Sequence, residues 1–217
     1  MGKEEKARHY RLDAGRMIDR VVGMADQVES AWESARDLGA NLSGAGSAVV
    51  VCGMGGSAIG GQMLADLVKM DSAVPICLER GYTLPRFVNG TTPVICVSYS
   101  GDTEEVLSSF EEALERGAPV VAITSGGALA ERAGRAGVPA HIIPGGMPPR
   151  AALGHLFTPL LRIASNAGLY EIPDEEIVSA VRKLRELATR YSLDSDPVEN
   201  SATQLTKKLY GKIPLIY

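Results

Sequence analysis

Three hydroxyl side chains fall within six residues in Ser98-Tyr99-Ser100-Gly101-Asp102-Thr103, directly after the apolar run Val94-Ile95-Cys96-Val97 and just before Glu104-Glu105. Hydroxyls and free backbone N–H groups, placed where a buried strand ends and a helix begins, make a ready seat for a phosphate in an open α/β sheet. A second segment of this kind lies upstream. Val49-Val50-Val51-Cys52 runs into Gly53-Met54-Gly55-Gly56-Ser57-Ala58-Ile59-Gly60-Gly61, which adds the hydroxyl of Ser57 and the small residues Gly55 and Gly56. Neither segment carries the lysine of a P-loop. Hydroxyls without a fixed cation suit a sugar phosphate better than a nucleoside triphosphate.

Each of these residues also has an ordinary structural duty to weigh. Asp102 or Thr103 capping a helix, with Glu104 and Glu105 complementing its dipole, accounts for part of the second loop but not for Ser98 and Ser100. The first loop runs Gly-x-Gly-Gly-Ser-x-x-Gly-Gly, which is not the dinucleotide spacing, and the acid that follows at the next strand, Glu79, sits beside Arg80. A phosphate or sugar turn is the stronger reading. Asp196-Pro197-Val198-Glu199 has the spacing of a capping box, with Pro197 at the first helical position. Arg150 follows two prolines that stiffen its backbone; it stands either as a surface cation or as a contact to a substrate oxygen. His9, His141 and His155 share no local motif. His155, inside an apolar helical segment, reads as a core or interface residue.

The chain has 217 residues and a formal net charge of −4, which weighs against an electrostatic nucleic-acid face. Its three cysteines, Cys52, Cys77 and Cys96, all lie in apolar runs and read as small core residues in a reducing compartment, not as a disulfide frame or metal cluster. The charged start, Met1-Gly2-Lys3-Glu4-Glu5-Lys6, is not that of a signal peptide, and no apolar run is long enough for a membrane span. The expectation is a cytoplasmic protein with neither nucleic acid nor membrane as partner.

The elements that must position the loops follow from the apolar pattern. Short Val- and Ile-rich runs at 47–52, 74–78, 93–97, 119–124 and 139–143 alternate with helical spacing at 58–69, 103–116 and 127–136. This predicts the α/β class: a doubly wound, five-stranded parallel sheet. Helical spacing from Ile18 to Leu38 predicts one N-terminal helix over 16–39, stopped by Gly39. After the rigid loop Pro144-Gly145-Gly146-Met147-Pro148-Pro149 comes a long apolar helix over 151–167, then a charged amphipathic helix over 174–192. A last helix opens at Asp194-Ser195-Asp196-Pro197 and runs to Tyr210. Ile213-Pro214-Leu215-Ile216-Tyr217 reads as a strand, the first of a further domain. The division is an N-terminal helical segment (1–45), a sheet domain (46–170), and a helical extension with the start of a second domain (171–217). The 151–167 helix and the N-terminal helices present apolar surface that asks for a partner, so a homodimer is expected.

Taken together, Gly53 through Gly61, Ser98 through Glu105, Pro149-Arg150-Ala151-Ala152-Leu153-Gly154 and Glu199-Asn200-Ser201-Ala202 resemble the sugar isomerase (SIS) domain. More narrowly, they are similar to the bifunctional phosphoglucose/phosphomannose isomerases. Ser-x-Ser-Gly-x-Thr alone indicates only the SIS class; the Pro-Arg-Ala-Ala-Leu-Gly and Glu-Asn segments narrow it. The resemblance implies a flavodoxin-like sheet and aldose–ketose isomerisation of a hexose 6-phosphate through an enediol, with no metal and no nucleotide cofactor. It implies that Ser57, Ser98, Ser100 and Thr103, with Gly55 and Gly56, hold the phosphate. It implies that Arg150 stabilises the enediolate and that Glu199 is the base moving a proton between C2 and C1, chemistry that needs one carboxylate and a nearby cation. The chain departs from the family at Asp102, where Asn is commoner. The family also has a ring-opening histidine, a C-terminal lysine and two SIS domains, and no histidine follows Glu199 here. A non-catalytic sugar-phosphate sensor and an amidotransferase-type isomerase half are the other readings.

Overall fold

The Val- and Ile-rich runs form the sheet. The computed structural model describes residues 11–42 and 46–215. In it β1 (Val49–Gly53), β2 (Ile76–Glu79), β3 (Val94–Ser98), β4 (Val120–Thr124) and β5 (Ala140–Ile142) stand in the order β2-β1-β3-β4-β5. Every pairing is parallel, with Cys52 opposite Cys96 and Ser98 opposite Thr124. The chain leaves β1 on one side for β2 and returns on the other for β3. The crevice at the C-terminal ends of β1 and β3 is therefore the topological switch point, where open α/β sheets bind their ligands.

Eight helices surround the sheet among the described residues: α1 (Met17–Val22), α2 (Met24–Ser34), α3 (Gly55–Val68), α4 (Glu104–Glu115), α5 (Gly127–Ala136), α6 (Leu153–Asn166), α7 (Asp174–Arg190) and α8 (Ser201–Leu209). Strand side chains alternate between two cores. Val49, Val51, Ile95, Val97, Val121 and Ile123 pack with Trp32 of α2, Leu64 of α3, Leu156 and Leu160 of α6 and Ile177 of α7. Val50, Cys52, Val94, Cys96, Val120 and Ala122 pack with Val106 and Phe110 of α4 and Leu129 of α5. Burial on both faces is why these strands read as continuous apolar runs.

Several boundaries depart from the sequence expectation. The single helix expected over 16–39 is two, divided at Gly23, a residue that weakens a helix interior and here closes α1 and opens α2. Helix α2 stops at Ser34, and the turns after it are held by Asn166, whose Nδ2 donates to the Arg36 and Leu38 carbonyls. The long apolar helix, α6, does not need a partner: it is buried along most of its length, packed on α2 and α3 of its own chain. Arg162 of α6 lies 3.4 Å over the Trp32 ring, and Trp32 Nε1 donates to Asp174 of α7 at 2.7 Å. The exposed apolar side chains lie elsewhere, with Ile59, Met63 and Leu67 on the outer face of α3.

The last helix starts at Ser201, later than expected. Asn200 takes the N-cap position and accepts from Thr203 N–H at 3.1 Å, while Asp196 accepts from Val198 N–H inside a preceding turn. Residues 213–215 are exposed and form no strand; Ile216 and Tyr217, like His9, lie outside the described residues. No helix among the described residues is long and apolar enough to cross a membrane, and no group of three or more His, Cys, Asp or Glu among them is placed to hold a metal ion.

Candidate functional site

The β1–α3 turn forms because Met54, at the N-cap, stays extended (φ −122°, ψ 149°) and Gly55, the first residue of the helix, takes a positive φ of 50°. The Ser57 and Ala58 N–H groups close the first turn on the Met54 carbonyl, at 3.0 and 3.3 Å, and the N–H groups before them have no partner within the helix. Ser57 is buried, and its Oγ accepts the Tyr99 N–H at 3.1 Å, which ties the first loop to the second.

The β3–α4 turn is wound on its own hydroxyls. Ser98 Oγ accepts the Gly101 N–H at 3.0 Å and shares a 2.8 Å hydrogen bond with Thr103 Oγ1. Ser100 Oγ accepts the Asp102 N–H at 3.2 Å and is exposed. Gly101 has a φ of 80°, and a Cβ there would stand 1.8 Å from the Gly126 carbonyl oxygen, so only glycine fits. Thr103 occupies the N-cap position of α4 but makes no side-chain bond to the helix, because its hydroxyl is engaged with Ser98. Asp102 is a cap, as expected, but of a different helix: its carboxylate accepts the Ala128 N–H at the start of α5 at 2.9 Å. The N-terminal turn of α4 is left without a side-chain acceptor and open to an anion.

Arg150 sits on a one-turn 3₁₀ segment, Pro149–Ala151, whose backbone rests against Gly56 with only a hydrogen on that Cα: a Cβ there would lie 3.4 Å from Pro149. The guanidinium is exposed and has no ion-pair partner among the described residues. The structure thus gathers Gly55, Gly56, Ser57, Ser98, Ser100, Thr103 and the Arg150 turn around the switch-point crevice.

Glu199 is not brought there. It lies exposed in the turn at 197–199, and its N–H bonds to the Asp196 carbonyl at 3.1 Å. It is not the third residue of a helix, so the capping-box role fails. Helix α8 buries none of its residues. Glu79 turns one carboxylate oxygen back on the Gly81 N–H at 2.6 Å. His155, buried on α6, and His141, on β5, are both pushed below the ordinary imidazole pKa by burial, His141 also by its neighbour His155. Cys52 and Cys96 are buried side by side; the Cys96 thiol is held well above its ordinary pKa by its hydrogen bond to Cys52 and by burial, so it is no nucleophile.

One organising residue escaped the sequence reading. Tyr99 stands between the two serines, buried, with every polar atom used. Its N–H goes to Ser57, and its carbonyl accepts from the Ser125 N–H and hydroxyl. Its phenol donates to the Pro144 carbonyl at 3.1 Å and accepts from Met147 N–H at 2.9 Å. It fastens the β1–α3 and β3–α4 turns, the β4–α5 turn and the proline loop to one another. The only signal for it in the sequence is a large aromatic between two small hydroxyl residues.

The fold is that of the sugar isomerase (SIS) domain. The chain superposes on a hypothetical protein of Thermus thermophilus with a TM-score of 0.67 at 25% identity, covering 95% of this chain and 52% of that one. It superposes on the tagatose-6-phosphate ketose/aldose isomerase of Escherichia coli with a TM-score of 0.57 at 13% identity, covering 91% and 55%. No protein-family model matches the chain. A curated relative named bifunctional phosphoglucose/phosphomannose isomerase, from Caldicellulosiruptor bescii, is 40% identical over 202 residues, covering 93% of this chain and 60% of the relative. Over nearly its whole length the chain is similar to proteins named bifunctional phosphoglucose/phosphomannose isomerase, at 35–40% identity, and it spans little more than half the length of these curated relatives.

Proposed function

We propose that the chain is the phosphate-binding portion of an aldose–ketose isomerase that converts glucose 6-phosphate or mannose 6-phosphate to fructose 6-phosphate. The observation that carries this is the pair of hydroxyl-lined turns at the switch point, with an arginine on the adjoining turn that pairs with no carboxylate among the described residues. The phosphate sits over the N-termini of α3 and α4, held by Ser57, Ser98, Ser100, Thr103 and the N–H groups of Gly55 and Gly56. Arg150 faces the oxygens at C1 and C2 and stabilises the enediolate. Glu199 takes the proton from C2, leaving the electron pair as the C1–C2 double bond of the enediol, and returns a proton to C1. No electrons leave the substrate, so the reaction calls for no redox cofactor.

Domain organisation follows the same reading: 1–45, 46–170, and 171–217 leading into a second SIS domain, which would bring Glu199 to the crevice. A homodimer fits the exposed Ile59, Met63 and Leu67 of α3. Placement in the cytoplasm, with no nucleic-acid or membrane partner, fits a reducing environment for three free cysteines and the net charge of −4. The test is turnover of glucose 6-phosphate and mannose 6-phosphate by the full-length protein and its Glu199→Gln variant. Isomerisation abolished in the variant, with sugar-phosphate binding nearly intact, supports the proposal. Full-length protein that binds the sugar phosphates but never turns them over would make it a sensor instead.

A further inference from the structure

Arg150 can act on an enediolate only if its turn is fixed, and the turn's two sides are held differently. One side rests on Gly56 of α3. The other reaches α2 through a single buried side chain. Gln27 Nε2 donates to the Ala151 carbonyl, the residue after Arg150, at 2.8 Å. That carbonyl has no donor in α6, whose first bond runs from the Leu156 N–H to the Ala152 carbonyl. Gln27 is only 7% exposed, and its Oε1 has no hydrogen-bond partner among the described residues. The same Nε2 also reaches the Arg20 carbonyl, more weakly, at 3.5 Å. A buried amide that leaves its own oxygen unpaired costs stability. The approach that permits this bond is also built in: a Cβ on Gly154 would lie 2.6 Å from the Gln27 Cβ, so α6 can meet α2 here only through a glycine.

We infer that Gln27 is a positioning residue for Arg150, which makes the N-terminal helix α2 part of the catalytic machinery. The inference rests on the proposed role of Arg150 at the enediolate. Gln27 touches no substrate; it holds the Pro149–Ala151 turn from behind, so that the guanidinium meets the planar anion and not merely the ground-state sugar. A misplacement of this kind selectively weakens transition-state contacts.

The test compares two ligands on the full-length protein: a 5-phosphopentonate, whose carboxylate mimics the planar enediolate, and a hexitol 6-phosphate, which offers the phosphate without it. Wild-type protein binds the phosphopentonate more tightly. Gln27→Leu is expected to lower phosphopentonate affinity by about tenfold while changing hexitol phosphate affinity by less than about twofold. Arg150→Leu removes the same preference, and adding Gln27→Leu to it costs nothing more. Equal losses for both ligands, or losses that add fully in the double variant, overturn the role of Gln27. A wild type with no preference, or an Arg150→Leu variant that keeps it, overturns the reading of Arg150 instead. If Gln27→Leu does not fold, Gln27→Glu decides. A protonated glutamate donates to the Ala151 carbonyl and an ionised one cannot, so the preference should be present at low pH and vanish as pH rises. Asp19 and Asp26 line the same cleft and push that proton loss upward, while Arg20 and His155 also face it. A preference flat with pH overturns the inference.

Discussion

Around the 98–103 loop the polar atoms are tied to other elements: Ser57 of α3 to Tyr99, Tyr99 to the proline loop, Asp102 to α5. Around Glu199 the bonds stay within the same short stretch, Asn200 reaching back to the Ser192 carbonyl and Ser195 hydroxyl and Gln204 to the Pro197 carbonyl. The first region is fixed by the sheet and has its geometry before any ligand arrives. The second is a self-capped helix with no buried face. On the proposed reading, phosphate binding rests on this sheet domain, whereas proton transfer by Glu199 requires a partner that packs against α8.

The largest effect should come from glycine replacements that probe this contrast. Gly101→Ala forces a Cβ into the Gly126 backbone and should cost more than about 3 kcal/mol, with loss of phosphate binding. Gly211→Ala, also at a positive φ (72°) but with nothing within 4 Å, should cost only about 1–2 kcal/mol. Chemical denaturation measures both, and similar costs would erase the distinction between the regions. Next, Ser100→Ala combined with Thr103→Ala should weaken sugar-phosphate binding by a few kcal/mol, at roughly 1–3 kcal/mol per charge-assisted bond, read by calorimetry. The fold should lose little, since neither hydroxyl reaches beyond its own turn.

On the other side of the contrast, Asn200→Ala removes a buried N-cap and should cost about 1 kcal/mol or somewhat more, confined to α8 and visible as faster amide exchange there. Glu199→Gln should leave the melting temperature unchanged, because the side chain caps nothing. The smallest effect concerns acid. His141 and His155 are held neutral by burial, so the unfolded chain binds more protons below its own histidine pKa. Stability should be full above about pH 6.5 and fall below it, and His155→Gln should flatten that slope.

The sheet and its order of elements were legible because strands buried on both faces leave uninterrupted Val- and Ile-rich runs. The two hydroxyl- and glycine-bearing turns were legible as strand-to-helix turns because each directly follows an apolar run. The start of α8 was misread because Asp196-Pro197-Val198-Glu199 carries a capping pattern, and nothing local reveals that Asn200 competes better for the same helix. The cover over α6 was missed because an apolar face looks the same whether a neighbouring helix or a second chain buries it. Tyr99 and Gln27 were missed for a related reason: their partners lie 45 and 124 residues away along the chain.

The claim on which the rest depends is that the two loops hold the substrate phosphate, and a crystal structure of the chain with fructose 6-phosphate tests it most directly. The account predicts the phosphate over the N-termini of α3 and α4, within hydrogen-bond distance of the Ser100 and Thr103 hydroxyls and the Gly55 and Gly56 N–H groups, with the sugar carbons toward Arg150. A phosphate bound elsewhere, with Ser98, Ser100 and Thr103 still engaged only in their present turns, would contradict it.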